Sequence, residues 1–223
     1  MRTALLLGAT GLTGHHCLNL LLNDDEYKRV IVLTRRPLVR THDKLEQHVI
    51  DFDNLDASTD LIMADDIFCC LGTTIKKSGS KEAFRKVDLE YPQTVAKIAS
   101  ANGSKQFLVI SAPESNSNSL LFYGRIKAEM EQAVCKYTYN GIYIFRPSLL
   151  IGEREEYRLA EGLGIKLFTA LPWLLSGRFK KLRPIDAKAV ATAMVVAAKS
   201  TPGGKQVYNS DRIQAIANAG KMV

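Results

Sequence analysis

The stretch "GATGLTG", which begins at Gly8, constrains the fold of this 223-residue chain more than any other feature. It places Gly8, Gly11 and Gly14 between an apolar run, "TALLL", and a segment with helical periodicity. Such a turn lets the backbone approach a pyrophosphate closely, while the N–H groups and the dipole of the following helix face the negative charge. Its position at the first strand-to-helix junction therefore predicts a nucleotide-binding site rather than a plain tight turn.

The glycine spacing is G-x-x-G-x-x-G, which differs from the G-x-G-x-x-G of the dinucleotide-binding fingerprint. Thr10, Leu12 and Thr13 occupy positions between the glycines. We expect them to add hydroxyl and backbone donors to the same phosphate site.

Apolar strand-like runs alternate with helix-like segments along most of the chain. Predicted strands lie at 3–8, 29–35, 47–52, 65–72, 106–112 and 141–147, with predicted helices at 12–23, 80–103, 121–136 and 186–200. Continuously apolar strands in this order are typical of a parallel sheet covered by helices on both faces. We therefore predict an α/β fold: a Rossmann-type doubly wound parallel sheet with a small C-terminal α-rich lobe. Residues 1–223 form a single NAD(P)-binding domain, and about 150–223 includes the substrate or lid lobe.

Composition indicates a globular protein with a buried core. Apolar residues make up 46% of the chain and charged residues 24%, and no apolar run reaches the roughly 18 residues that span a bilayer. The first residues lead straight into the glycine turn without a signal-peptide cleavage site. The four cysteines form no C-x-x-C pair, so no metal site or disulfide framework is expected. Reduced, buried thiols favour a cytoplasmic protein.

The net charge of +7 suits an anionic partner. No pattern of interleaved aromatic and basic residues and no helix-turn-helix pattern is evident, so nucleic acid is not the expected partner. A phosphorylated cofactor and an unknown small-molecule substrate fit better. No membrane association is expected, and the chain is predicted to be a monomer or a homodimer.

The end of the second predicted strand discriminates between cofactors. An acidic residue there would bind the ribose 2′-hydroxyl of NAD, whereas arginine suits the 2′-phosphate of NADP. The chain has "LTRRP" at this position, with Arg35 and Arg36 and no acid. Because a guanidinium group binds phosphate through paired hydrogen bonds, NADP(H) is the preferred cofactor and NAD(H) remains possible.

Two further strand ends are expected to contact the cofactor. Asp51 and Phe52 end the third strand, and Asp51 either bonds the adenine amino group or caps the following loop. Leu71, Gly72 and Thr73 end the fourth strand. Glycine removes a side chain where a ribose or nicotinamide would lie close to the backbone.

The reacting groups are predicted on the fifth strand and the helix after it. Ser111 ends that strand, and Tyr123 and Lys127 follow at a spacing that places them on one helix face. A lysine ammonium one turn away stabilises a phenolate, and a serine hydroxyl can orient a substrate carbonyl. Tyrosine and lysine also occur at this spacing by chance in ordinary amphipathic helices. Their position at the ligand edge of a parallel sheet favours catalysis.

The chain resembles the atypical branch of the short-chain dehydrogenase/reductases, in particular the small NAD(P)-binding proteins related to the Tat-interacting tumour-suppressor protein and their bacterial relatives. The stretches that carry the resemblance are "GATGLTG", "FCCLGTTIKKSGSKEAFRKVDLEYP", "FYGRIKAEME" and "RPSLLIGEREEYR". The resemblance implies a Rossmann sheet, NADP(H) binding, and a Ser–Tyr–Lys set at Ser111, Tyr123 and Lys127. It also implies that Lys127 binds the nicotinamide ribose.

Two positions qualify this resemblance. Strand five is followed by "SAPES" rather than a pair of serines, and the asparagine that such enzymes usually carry on the fourth helix has no obvious equivalent. The resemblance implies that backbone near Pro147 passes the nicotinamide amide, although Pro147 would also simply end the sixth strand. Arg146 is expected to pair with a carboxylate.

The predicted function is an NADP(H)-dependent oxidoreductase acting on an unknown carbonyl or alcohol. The alternative is an NADPH-binding redox sensor or partner-binding protein with little catalysis. A weaker alternative is an epimerase or dehydratase of the nucleotide-sugar type. A pocket beside Tyr123 that is open, rather than filled by side chains from 159–184, would favour the enzyme.

Overall fold

The structure is a computed structural model, and it describes residues 1–113, 115, 121–152, 183–200 and 203–220. The strands are β1 (Arg2–Leu7), β2 (Tyr27–Thr34), β3 (Leu45–Val49), β4 (Asp66–Cys69), β5 (Gln106–Ile110), β6 (Gly141–Arg146), β7 (Leu150–Ile151), β8 (Ile185–Asp186) and β9 (Gly204–Asn209). The α-helices are α1 (Leu12–Leu22), α2 (Ile75–Ser78), α3 (Lys81–Arg85), α4 (Tyr91–Ala101), α5 (Phe122–Val134), α6 (Ala187–Lys199) and α7 (Ser210–Ala219). A 3₁₀ segment covers Phe52–Leu61, and a π-helical segment, Lys86–Glu90, joins α3 to α4.

Seven strands form one parallel sheet in the order β3-β2-β1-β4-β5-β6-β9, and β7 pairs with β8 in a small second sheet. The chain winds outward from β1 in one direction and from β4 in the other. A ligand crevice is expected where this reversal occurs, beyond the carboxyl ends of β1 and β4. The predicted α/β Rossmann-type fold is confirmed.

The strand side chains alternate between two hydrophobic layers. Leu6 of β1 packs in one layer with α1 and α6, where Leu18 and Val190 lie. Leu5 and Leu7 pack in the other layer with α4 and α5. Burial on both faces explains why the central strands are continuously apolar.

The C-terminal region is closely joined to this sheet. Strand β9 pairs with β6 at the edge of the sheet, with Gly141 opposite Gly204 and Arg146 opposite Asn209. Helix α6 packs against α1. The region that we assigned from about residue 150 to a lobe therefore supplies a strand and two helices to the main domain, and residues 153–182 lie outside the described part.

Candidate functional site

The glycine turn requires glycine at two positions. Gly8 has a φ of +80°, and a Cβ atom there would lie 2.6 Å from the carbonyl oxygen of Cys70 on the neighbouring strand end. A Cβ on Gly14 would lie 2.0 Å from the carbonyl oxygen of Gly8. The Gly11 N–H donates to that same oxygen at 2.9 Å. The start of α1 is thus packed directly onto the end of β1.

Helix α1 begins with backbone donors that no side chain in the described part of the chain caps. Its N-cap is Gly11, and its first turn contains no acidic residue. Thr13 is buried, and its Oγ1 atom has no hydrogen-bond partner among the described residues. Thr10 is exposed and Leu12 is half-buried at the same end. Free backbone donors, a helix dipole and an unpartnered buried hydroxyl are the chemistry that suits a phosphate group.

Parallel register brings the second strand end beside this turn. Leu7 of β1 pairs with Leu33 of β2, so Arg35 and Arg36 follow close to Gly8. Both arginines are exposed. The Thr34 hydroxyl donates to the carbonyl of Arg36 at 2.8 Å and stabilises the turn after β2. Positive charge therefore lies at the rim of the crevice.

Asp51 and Phe52 occupy different positions from those predicted. Strand β3 ends at Val49, and Asp51 is instead the N-cap of the 3₁₀ segment. Its carboxylate accepts the N–H of Asp53 at 2.9 Å, so the structure shows the capping alternative. Phe52 is buried in the core and its ring centroid lies 5.5 Å from that of Tyr91. A contact of either residue with the cofactor stays a prediction.

The end of β4 forms the floor of the crevice. Leu71 is half-buried, and the Thr73 N–H donates to Asp88 Oδ2 at 2.9 Å. A Cβ added to the exposed Gly72 would lie 3.6 Å from Asp88 Oδ1 and 4.0 Å from Lys127 Nζ. These are ordinary contact distances, so the fold itself does not require glycine at position 72.

Lys127 and Asp88 form a buried ion pair beneath this floor. Lys127 Nζ lies 2.8 Å from Asp88 Oδ1, and the two side chains are only 4% and 1% exposed. Lys127 also donates to the carbonyl of Ile110, at the end of β5, at 3.3 Å. Burial is the largest single influence and acts to lower the pKa of Lys127, but the charge and hydrogen bond of Asp88, together with Tyr123 and Cys69, outweigh it and the pKa is raised. Lys127 is therefore an ammonium at neutral pH.

Tyr123 lies one helical turn before Lys127, in the first turn of α5. It is 40% exposed, and its ring centroid lies 5.6 Å from that of Phe84 on α3. The phenol contributes to the electrostatic environment of the Lys127 amine. The structure thus brings together an accessible phenol and a buried ammonium at the ligand edge of the sheet.

Ser111 is held in a separate buried network. Its hydroxyl donates to Glu131 Oε1 at 2.5 Å and lies 2.8 Å from Ser115 Oγ. Arg146 Nη2 pairs with Glu131 Oε2 at 2.6 Å, which confirms the carboxylate partner expected for Arg146. The role of Ser111 in orienting a substrate oxygen stays a prediction. Pro147 is buried directly after β6.

Asp88 and Glu131 were not predicted from the sequence. Each is an acidic residue that lies buried in a helical stretch and pairs with a cation from a distant segment. The apolar neighbours Val87 and Leu89 on either side of Asp88 were the available signal for its burial. The stretch expected to close the pocket, 159–184, falls almost wholly within 153–182 and outside the described residues.

Comparison with known proteins identifies the family. The model of the NAD dependent epimerase/dehydratase family matches residues 4–209. The chain belongs to this family. Protein HTATIP2 of Rattus norvegicus is 33% identical over 175 residues, which cover 77% of this chain and 72% of the rat protein. Protein fmp52 of Aspergillus niger, named mitochondrial, is 31% identical over 220 residues, which cover 96% and 94%.

The solved structures support the fold. MoeE5 in complex with UDP-glucuronic acid and NAD superposes with a TM-score of 0.72 at 16% sequence identity, over 93% of this chain and 75% of that one. At 16% sequence identity, the similarity to MoeE5 shows a shared fold and nothing more.

The prediction of a cytoplasmic protein is wrong. Several fungal relatives, from Candida albicans, Coccidioides immitis and Aspergillus niger, are named mitochondrial. Reduced thiols distinguish a reducing compartment from the secretory route, but they do not distinguish one reducing compartment from another.

Among the described residues, no helix has the length and apolar character needed to cross a membrane. Across the same ranges, no three His, Cys, Asp or Glu side chains are grouped so that they could hold a metal ion.

Proposed function

We propose that the protein is an oxidoreductase of the short-chain type that prefers NADP(H) and interconverts a carbonyl and an alcohol. The observation that carries the proposal is the placement of Tyr123 one turn before Lys127 on α5. An accessible phenol lies one turn from a buried, charged amine, at the sheet edge where the glycine turn also lies.

Separate parts of the crevice would hold the cofactor. The uncapped start of α1 and the hydroxyl of Thr13 would bind the pyrophosphate, and Arg35 and Arg36 would bind a 2′-phosphate. Gly72 would leave room for the sugar or nicotinamide. When bound, the cofactor supplies or accepts the hydride. The donors at the turn support this assignment, because no side chain among the described residues caps the start of α1 or pairs with the Thr13 hydroxyl.

The residues of the chain would then handle the proton. Tyr123 donates a proton to the substrate oxygen as the carbonyl is reduced and removes one in the reverse direction. The ammonium of Lys127 stabilises the phenolate that remains. Ser111 is assigned the orientation of the substrate oxygen, with its hydroxyl held by Glu131.

One observation favours a second candidate, a dinucleotide sensor. The hydroxyl of Ser111 already donates to Glu131 and lies within hydrogen-bond distance of Ser115. A hydroxyl committed to protein partners is less available to a substrate. A sensor would bind NADPH tightly and reduce no member of a carbonyl panel, whereas the proposed enzyme would oxidise NADPH with at least one of them.

The preference for NADP(H) predicts a selective effect of the rim arginines. Replacing Arg35 or Arg36 by Ala should weaken NADPH binding about tenfold or more and leave NADH binding nearly unchanged, because only NADPH carries the 2′-phosphate. A charge-assisted hydrogen bond contributes roughly 1.5–3 kcal/mol, and 1.4 kcal/mol corresponds to a factor of ten. Fluorescence titration with both dinucleotides measures the effect.

Arg29→Ala is the matched control for these variants. Arg29 is an exposed arginine on β2, the strand that Arg35 and Arg36 follow, and it pairs with Glu46 rather than facing the crevice. The Arg29→Ala substitution removes the same charge and should leave the affinities for NADPH and NADH unchanged. Equal losses of NADPH and NADH affinity in the Arg35 and Arg36 variants would contradict a 2′-phosphate site.

A further inference from the structure

Asp88 is a buried carboxylate to which the proposed chemistry assigns no role. Its two oxygens contact different parts of the site: Oδ1 lies 2.8 Å from Lys127 Nζ, and Oδ2 accepts the N–H of Thr73. Aspartate is almost never fully buried unless it is paired. A buried pair is also weak evidence for stability, because desolvation offsets its attraction. Its position therefore calls for a functional reason.

The local backbone places this carboxylate. Asp88 lies in the π-helical segment Lys86–Glu90, between α3 and α4. A π-helical turn inserts extra backbone into a helix, and such turns are frequent at functional sites. Here the segment packs against α5, the helix that carries Tyr123 and Lys127. The irregular turn thus sets a negative charge against the predicted catalytic helix.

The surroundings of Lys127 show what this charge does. The groups that act on its amine are Asp88 from the π-helical segment, Tyr123 on α5 and the Cys69 thiol on β4. Strand β5 adds the uncharged carbonyl of Ile110. Of these, only Asp88 is a carboxylate, and its Oδ1 atom lies 2.8 Å from Lys127 Nζ. Without it, burial would favour the neutral amine.

We infer that Asp88 is a positioning residue, which keeps Lys127 in its ammonium form and fixes its Nζ atom between the end of β5 and the crevice floor at Gly72. The link to catalysis rests on the proposed function, whereas the charge of Lys127 does not. Asp88 thereby preserves the positive charge beside the Tyr123 phenol over the working pH range.

The pH dependence has a defined sign. Because the pKa of Lys127 is raised above its ordinary value of 10.5, the ion pair stabilises the fold fully below that value. The contribution is lost only as the pH rises through the higher, folded-state pKa. In Asp88→Asn, burial acts without the opposing charge, so the pKa of Lys127 should fall and the charge should be lost at a lower pH.

The test is an NMR titration of the protein labelled at lysine Cε, without cofactor or substrate. Lys127→Arg identifies the Lys127 signal by its absence. In the wild type this signal should titrate above the ordinary lysine value of 10.5. In Asp88→Asn, which keeps the side-chain volume and an acceptor for Thr73, it should titrate below that value.

Three results would overturn the inference. One is a Lys127 signal that titrates at or below the ordinary lysine value of 10.5 in the wild type, which needs no variant to fold. Another is an unchanged Lys127 midpoint in Asp88→Asn. Asp88→Glu, which retains the charge, should restore a high midpoint, and a low midpoint there would also contradict the assignment.

A second readout connects the charge to catalysis. With a substrate from the carbonyl panel, kcat/KM of Asp88→Asn should fall with rising pH along the Lys127 titration, while the wild type stays constant over that range. An unchanged profile despite a shifted Lys127 signal would overturn the positioning role. If neither protein reduces any carbonyl but the signal shifts, the proposed oxidoreductase fails and the assignment of Asp88 to the charge of Lys127 stands.

Discussion

Gly14→Ala is expected to lower the thermal unfolding temperature markedly and to abolish dinucleotide binding. The new Cβ would lie 2.0 Å from the Gly8 carbonyl oxygen, a backbone atom that moves only if the turn moves. Gly8 is itself confined, because it has a φ of +80° and lies against the end of β4. Overpacking of this kind destabilises by about 1–3 kcal/mol or more. Calorimetric unfolding, with and without NADPH, measures both effects.

Gly11→Ala is the matched control for this prediction. Among the described residues, a Cβ on Gly11 meets only the Gly8 carbonyl oxygen, at 3.2 Å, and the φ of −77° suits any residue. Its loss of stability should not exceed about 1 kcal/mol, the typical cost of replacing a preferred N-cap residue by Ala. A Gly14→Ala protein as stable as Gly11→Ala, and still protected by NADPH, would show that the turn does not depend on this close approach.

Tyr123→Phe is expected to lower kcat at least about 100-fold with little effect on stability. General acid–base catalysis by a positioned side chain contributes roughly 10²–10⁴-fold. Only the hydroxyl is removed, from a ring that is 40% exposed and keeps its contact with Phe84. NADPH oxidation is followed at saturating cofactor with the best substrate of the carbonyl panel.

Tyr137→Phe serves as the control, since Tyr137 follows the opposite end of α5 and packs at the edge of the core. It removes the same hydroxyl group and should leave kcat unchanged. If Tyr123→Phe turns over as fast as the wild type, Tyr123 is not the proton donor, whatever the cofactor affinity.

The central sheet is predictable because its strands are buried on both faces and read as continuous apolar runs. Strand β3 was misplaced, at 47–52, because it lies at the edge of the sheet. Its residues, Leu45 to His48, are only half-buried and mostly polar. The predicted strand was extended to residue 52 because Phe52 is apolar. In the structure the Phe52 side chain packs into the core from a 3₁₀ segment. The spacing of apolar residues indicates which side chains are buried. At the edge of the sheet it does not show whether a strand or a helical segment carries them.

The candidate site, like the fold, could be predicted only in part from the sequence. The helical spacing correctly places Tyr123 and Lys127 on one face of α5, because that relation is local. The partners of Lys127 and Ser111 depend on which distant segments pack against them. Asp88 reaches Lys127 through a π-helical turn, and Glu131 holds Ser111 with the help of Arg146. Contacts between side chains of distant segments cannot be predicted from a local sequence pattern.

The most direct test of the account is a calorimetric titration of the wild-type protein with NADPH and with NADH. We expect saturable heat with NADPH, weaker binding of NADH, and a higher unfolding temperature with each. These results follow if the start of α1 and the arginines after β2 act as one phosphate-binding surface. Neither heat nor thermal protection with either dinucleotide at millimolar concentration would contradict it.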